Sequence, residues 1–427
     1  MVIRDPAPTG QALDDATVGV AGRSRRVSRR IGMLGPAFVA AVAYVDPGNV
    51  AANLQAGTKY GYLLVWVLVV AVASAGVVQF LSAKLGLATG MSLPELVGRR
   101  LGRSSRIAYW LQAEAVAMAT DLAEVVGGAI ALYLLFDLPL LMGGLIAGVV
   151  SLGLLMVQSR RGQRTFERMI TGFLLIIAIG FLAGLFVAPP SIAGVASGLI
   201  PRFDGMDSVM LAAAMLGATV MPHAVYLHSA LTRDRFGRID PGPIRARLLA
   251  ATKTDVVFAM VLAGSVNIAM LLLAASGLSG QDGVDTIEGA YAAISSTLGP
   301  AIGILFAVGL LASGLASTSV GSYAGGVIME GLLARRVNPM LRRAITLIPA
   351  LIVLAIGADP TTVLVISQVV LSFGLPFVLI PLMRLTSNPT VMGVDVNRGA
   401  IKVAGWVIIT AIVALNAVLI VGVFGSI

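Results

Sequence analysis

After residue 30 the chain is a succession of apolar runs separated by short blocks of Arg and Lys. A helix needs about 20 consecutive apolar residues to cross a bilayer, because it rises about 1.5 Å per residue through a hydrocarbon core of about 30 Å. Eleven runs of this kind are legible, at about 33–57, 61–83, 107–135, 138–158, 170–189, 207–230, 249–277, 291–333, 344–357, 361–383 and 401–424. They are numbered here as spans 1 to 11. The eighth is too long for one straight crossing and is expected to extend past the membrane. Only 12% of the residues are charged, about half the share of a soluble domain. The expected fold class is an all-α polytopic membrane protein.

The basic blocks orient the map. With the N-terminus in the cytosol, 28 of the 30 Lys and Arg fall in cytosolic segments, and only Lys59 and Arg202 lie outside. The outer loop 278–290 carries three acids and no base. This follows the positive-inside rule and expects a multi-pass cell-membrane protein with a cytosolic N-terminus and a C-terminus outside. The +9 net charge is therefore a topology signal and implies no nucleic-acid partner. Residues 1–30 are expected to be a disordered, basic cytosolic tail. They are not read as a signal peptide, because the apolar run continues past AVA at 41–43. The absence of cysteine excludes disulfides, zinc–thiolate sites and thiol catalysis.

Span 1 is interrupted by AYVDPGNVAANL (43–54) and span 6 by GATVMPHAVYLH (217–228). In each, a proline removes a backbone donor inside an apolar run: Pro47, followed by Gly48, and Pro222. The two breaks lie five spans apart, so the second helix runs opposite to the first. Two inverted five-helix repeats that each open on a broken helix are the pattern of a secondary transporter with its site at mid-membrane. The transporter domain is placed at 31–427, with repeat one at about 31–190, repeat two at about 205–384 and an extra helix at about 401–424.

Broken helices leave carbonyls that need protein, water or a ligand. Asp46 adds a charge whose burial at bilayer depth costs about 3 kcal/mol or more, and Asn49 adds an amide oxygen. Met221 stands beside the second proline. A thioether is a poor ligand for Ca²⁺, Mg²⁺ or Na⁺ and an acceptable one for softer divalent transition metals. Asp46, Asn49, Met221 and nearby carbonyls therefore read as a site for Mn²⁺ or Fe²⁺.

DPGN in span 1 together with MPH in span 6 resembles the natural resistance-associated macrophage protein (Nramp) family, and the resemblance covers nearly everything after residue 30. It implies proton-coupled import of divalent metal ions, a leucine-transporter (LeuT) type fold and a metal site made by Asp46, Asn49 and Met221. It also implies ligation by the backbone carbonyls of Ala43 and Ala218, and an approach by Gln368 of ISQVVLSFG when the site is occluded. Relatives that move magnesium or aluminium depart at the span-6 methionine, which this chain keeps. A third match, GLASTSVGSYAGGVIMEG (314–331), resembles the family's transport motif. This chain has Leu315 and Gly326 where the longer form often has Gln, and the stretch is read as scaffold that lets helices pack closely.

A proton route needs titratable groups away from the metal. On span 3, Glu114, Asp121 and Glu124 fall within an arc of about 80° of one helix face, which reads as a polar pathway. His223 follows the break and is either a proton-exchange group or a hydrogen-bonded brace for the broken helix. His228 lies about 140° further round. Gln79 of span 2 either lines the surroundings of the site or packs. Arg342 and Arg343 anchor the start of span 9 by the positive-inside rule. By resemblance, an arginine here pairs with the span-3 acids, and the spacing does not choose between the two. No HExxH or GxSxG motif occurs, so no enzyme chemistry is expected. No cofactor and no obligatory protein partner is implied, only the metal ion, protons and the bilayer. The competing assignment is a sodium-coupled amino-acid or organic-solute carrier of the same architecture, which an Asp and a Met at the breaks disfavour.

Overall fold

The computed structural model describes residues 35–279, 283–284, 286–335 and 337–425, and every regular element among them is helical. The expected tail at 1–30 lies outside the described residues. Nine helical segments, from Val65–Thr89 to Gly399–Leu419 and with the two halves of span 6 taken together, are long and apolar enough to cross a membrane among the described residues. Two further crossings escape that criterion for physical reasons. Span 1 is broken into Pro36–Val42 and Pro47–Tyr60, and span 9, Pro339–Ala355, has 17 residues. With them, eleven spans are present among the described residues.

Proline punctuates the helices. Pro36, Pro47, Pro222, Pro243, Pro300, Pro339 and Pro360 each stand in a first turn, where the missing N–H has no intrahelical partner to lose. Span 2, Val65–Thr89, ends on Gly90 in the left-handed region, φ 66°, the usual glycine cap. The eighth run departs from the single long helix expected of it. Gly299 and Pro300 divide it into Ile287–Leu298 and Pro300–Leu333. Pro300 cannot donate back to the helix before it, and Gly299 adopts φ 100°, so the first part turns away as a separate short helix.

Burial separates centre from rim. In spans 3 (Arg103–Phe136) and 6 (Gly205–Phe236), 78% of the most apolar window is buried, against 33% in span 4 (Leu140–Val157) and 22% in span 11 (Gly399–Leu419). The rim residues that remain exposed are apolar, among them Val149, Ile179, Val261 and Val407, as expected of a surface that a bilayer covers. Spans 3 and 8 pack closely enough that a Cβ on Gly314 would come 2.9 Å from the Glu124 carbonyl oxygen. This is small-residue packing, which membrane helices use in place of a hydrophobic drive.

Both breaks are built into this centre. After Val42 the chain makes one 3₁₀ turn, Ala43–Val45, and then extends at Asp46 (φ −69°, ψ 166°) before the second half-helix. In span 6 the first half ends at Thr219, Val220 and Met221 are extended, and Pro222–Phe236 follows. Pro47 lies against span 3, where a Cβ on Gly127 would come 2.2 Å from its ring, and Pro222 lies against Gly374 of span 10 (Pro360–Thr386).

Candidate functional site

The break in span 1 is organised by Asp46 as the N-cap of Pro47–Tyr60. Its Oδ1 accepts from the Asn49 backbone N–H at 2.9 Å and from Asn49 Nδ2 at 2.6 Å. Asn49 Nδ2 also donates to the Ala218 carbonyl at 3.0 Å, so one amide group bridges the two breaks. This bridge leaves Asp46 Oδ2 and Asn49 Oδ1 buried with no hydrogen-bond partner. Gln368 reaches the same place from span 10. It lies over Gly48, and both atoms of its amide group are likewise buried and unpartnered. Met221 is fully buried in the extended link of span 6, and Ala43, equally buried, opens the 3₁₀ turn of span 1. Among the described residues no three His, Asp or Glu side chains converge on one point. An ion held here would depend on a single carboxylate with amide, carbonyl and thioether donors.

A polar shell holds the break in shape. Asn267 of span 7 (Pro243–Gly277) donates to the Tyr44 carbonyl at 2.7 Å and accepts from Asn53 at 2.8 Å, and the Ser313 hydroxyl donates to the Val45 carbonyl at 2.5 Å. These bonds satisfy carbonyls that the break frees from helical pairing. Gln79 donates to the Tyr44 hydroxyl and accepts from His228 Nδ1 at 2.6 Å. His228 and Gln79 thus brace the break rather than line it. His223 is buried with neither ring nitrogen bonded. Sequence reading passed over Tyr44, Asn53, Asn267, Ser313 and Ser317. The available signal was an isolated amide or hydroxyl in an apolar span, such as Asn267 in AGSVNIAMLLL, which is costly unless it has a specific partner.

The acids of span 3 each have their own counterpart. Glu114 pairs with Arg342 at 2.6 Å, Asp121 with Arg343 at 3.2 Å, and Glu124 accepts from the Ser317 hydroxyl at 2.5 Å. Sequence spacing left the choice between the two arginines open, and the structure pairs each with a different acid. Arg343 is fully buried and also donates to Ser151 at 2.9 Å. The row runs from the Asp46 break toward the end of the molecule that carries the basic blocks. There a cavity of about 370 Å³ is lined by Arg233, Asp234, Ser322, Tyr323, Glu330 and Arg342. A separate cavity of about 100 Å³ meets Gly48 and Gln368 and is lined further out by Gln55 and Thr361. On the basic side the first half-helix is tied down. Asp255 accepts from the N–H groups of Gly35 (3.1 Å) and Ala37 (3.0 Å), and Glu167 pairs with Arg235 at 2.5 Å beside Gly35. The buried break is thus closed on that side and touches a cavity on the other.

Residues 37–422 match the family described as natural resistance-associated macrophage protein-like. A divalent metal cation transporter MntH of Mycobacterium tuberculosis is 62% identical over 388 residues, 91% of each chain. The protein of that name from Bacillus subtilis is 45% identical over 422 residues, 98% of each chain. Among solved structures, the Eremococcus coleocola manganese transporter superposes with a TM-score of 0.85 at 31% identity, covering 95% of this chain and 89% of that one. MhsT in complex with L-phenylalanine superposes with a TM-score of 0.61 at 15% identity, over 91% of this chain and 98% of that one, a likeness of fold alone.

Proposed function

The chain belongs to the Nramp family, and we propose that it is a proton-coupled secondary transporter that imports Mn²⁺, and Fe²⁺ with it, across the cytoplasmic membrane by alternating access. The observation that carries the proposal is the pair of buried, unpartnered oxygens at the break, Asp46 Oδ2 and Asn49 Oδ1, with the Gln368 amide group beside them. Buried acceptors without donors cost about 1–3 kcal/mol each. A divalent cation relieves that cost at both oxygens. Met221 of the facing break supplies the soft donor that favours a transition metal over Ca²⁺. The relatives named for manganese and divalent metal transport agree with this cargo.

Asp46 binds the ion as a carboxylate, since a neighbouring cation favours the charged form. The proton it gives up, or one entering beside the metal, passes to Asp121 and then Glu124, with Glu114, Arg342 and Arg343 continuing the route to the cytosol. His223, buried near the break with both nitrogens free of hydrogen bonds, is an additional exchange group. The metal enters past Gln368 and leaves when the halves rock and free the first half of span 1 from Asp255. The distribution of Arg and Lys supports a cytosolic N-terminus and an outer C-terminus.

The test is flux in proteoliposomes, with Mn²⁺ and H⁺ uptake recorded together with and without a pH gradient. The expected result is that Mn²⁺ entry acidifies the lumen and that Asp121→Asn reduces the proton current while leaving Mn²⁺ binding. Proton uptake by Asp121→Asn equal to the parent's would overturn the relay. A Mn²⁺-soaked crystal with its anomalous peak away from Asp46 and Met221 would overturn the site.

A further inference from the structure

The span-8 motif, read from sequence as scaffold, faces the acids of span 3 along a row of small residues spaced by four. The Ser313 hydroxyl donates to the Val45 carbonyl, next to Asp46, at 2.5 Å. Ser317 donates to Glu124 Oε1 at 2.5 Å. A Cβ on Gly321 would lie 3.3 Å from Glu124 Oε2 and 3.5 Å from Asp121 Oδ1. A Cβ on Gly325 would lie 2.0 Å from the Arg342 guanidinium. Residues four apart form one ridge of a helix, and this ridge covers about 18 Å at 1.5 Å per residue. It follows the polar row from the metal break to the arginine that borders the basic-side cavity.

Small residues alone would say only that two helices approach closely. A second observation goes further. Glu124 Oε2 and Asp121 Oδ1 make no hydrogen bond within the protein, although each residue is only 1% exposed, and the other Asp121 oxygen faces Arg343. Two of these oxygens, one from each acid, are aimed at a single point above Gly321. The flanking hydroxyls of Thr318 and Ser322 are buried and unpartnered as well. A buried water is stable where two to four polar groups converge on it. Any side chain at position 321 would occupy that point.

We propose that the span-8 row is the second wall of the proton route. In it Ser317 orients the Glu124 carboxyl group, and Gly321 leaves room for one water that links Glu124 to Asp121. The transfer balances without a further reactant. One carboxyl group gives its proton to the water as the water gives one of its own to the other carboxylate, so one O–H bond breaks and one forms at each step. Arg343 beside Asp121 and Arg342 beside Glu114 hold the charge of the row in place while the proton moves. Ser317 and Gly321 are positioning residues, because neither touches the metal. The inference rests on the proton-coupled reading above.

The experiment measures Mn²⁺ uptake, H⁺ uptake and Mn²⁺ binding on purified full-length protein, with Gly321→Ala, Ser317→Ala and Ser317→Thr beside the parent. Gly321→Ala is expected to lower proton uptake at least tenfold with Mn²⁺ affinity within twofold of the parent. Ser317→Ala is expected to lower the ratio of protons to Mn²⁺ and to shift the pH profile of uptake, and Ser317→Thr, which keeps the hydroxyl, to restore both. A merely structural role would move Mn²⁺ and proton uptake together and leave the ratio unchanged. Parental proton uptake in Gly321→Ala, or an unchanged ratio in Ser317→Ala, overturns the proposal. If Gly321→Ala does not fold, the serine pair decides alone. Parent protein that moves Mn²⁺ with no protons would instead overturn the coupling itself.

Discussion

Gln368 lies so close over Gly48 that a Cβ on the glycine would stand 1.8 Å from Gln368 Nε2. Gly48 is helical and its φ is not positive, so the glycine is required for space and not for backbone freedom. Elsewhere on a helix, Gly→Ala gains about 1 kcal/mol. Here the methyl group forces Gln368 away from the Asp46 break. Gly48→Ala is expected to cut Mn²⁺ uptake at least tenfold with little change in melting temperature. Adding Gln368→Ala should recover part of the loss by removing the clash. Parental uptake by Gly48→Ala would show that Gln368 does not need this position.

The two arginines of span 9 differ in how their loss would be felt. Arg343 and Asp121 are 0% and 2% exposed at the side chain, whereas Glu114, the partner of Arg342, is 14% exposed. Removing one member of a fully buried pair strands the other charge and costs about 3–5 kcal/mol. Arg343→Met is therefore expected to destabilise strongly, and Asp121→Asn in the same protein to restore most of the loss. Arg342→Met should cost clearly less, because Glu114 is less deeply buried than Asp121. Thermal unfolding of the three variants and the parent in one detergent checks the order. Equal losses for Arg342→Met and Arg343→Met would contradict it.

What could be read in advance follows from the kind of signal each residue leaves. The spans, the breaks and the acid row are periodic or compositional, and the bilayer makes such signals strong. Pro47 and Pro222 announce breaks because a proline acts on its own backbone wherever it stands. The pairing of Arg342 with Glu114 and Arg343 with Asp121 was not legible, since it depends on how span 9 is rotated against span 3. The turn at Gly299–Pro300 was passed over because the apolar run continues through it, although both residues marked it. Tyr44, Asn267 and Ser317 were missed for a further reason. Their roles lie in bonds to residues far along the chain, such as Asn267 to the Tyr44 carbonyl, and no local pattern encodes those.

Met221 sets the expected selectivity. Its thioether is the one soft donor among the candidate ligands, and a hard ion such as Ca²⁺ gains little from sulfur. Met221→Ala is expected to admit Ca²⁺ while Mn²⁺ transport falls only several-fold, with competition assays in proteoliposomes as the measure. Unchanged exclusion of Ca²⁺ would remove sulfur as the source of discrimination.

Outside the spans, Glu95 closes a capping box with Ser92, whose N–H it accepts at 2.6 Å, and pairs with Arg233 at 2.7 Å. Burial alone would raise its pKa, but the Ser92 bond and the Arg233 charge outweigh burial and hold it below the ordinary 4.5. A depressed carboxylate stabilises fully above its unfolded pKa and loses that contribution as pH falls through the folded value. The stability advantage of the parent over Glu95→Gln is expected to be constant above about pH 5 and to shrink as pH falls below that. An advantage that does not shrink on acidification would mean the charge is not its source.

Asp255 caps the start of span 1 from span 7, accepting from both Gly35 and Ala37. A lost N-cap costs about 0.5–2 kcal/mol, and here the cost falls on the state that is closed toward the basic side. Asp255→Ala is therefore expected to shift the population toward a state open on that side, by about tenfold for each 1.4 kcal/mol. The chain has no cysteine, so Ala41→Cys, at a position that is fully buried here, supplies a single thiol. In inverted vesicles its labelling rate should rise several-fold when Asp255→Ala is added. An unchanged rate would mean that the Asp255 cap does not hold the closed state.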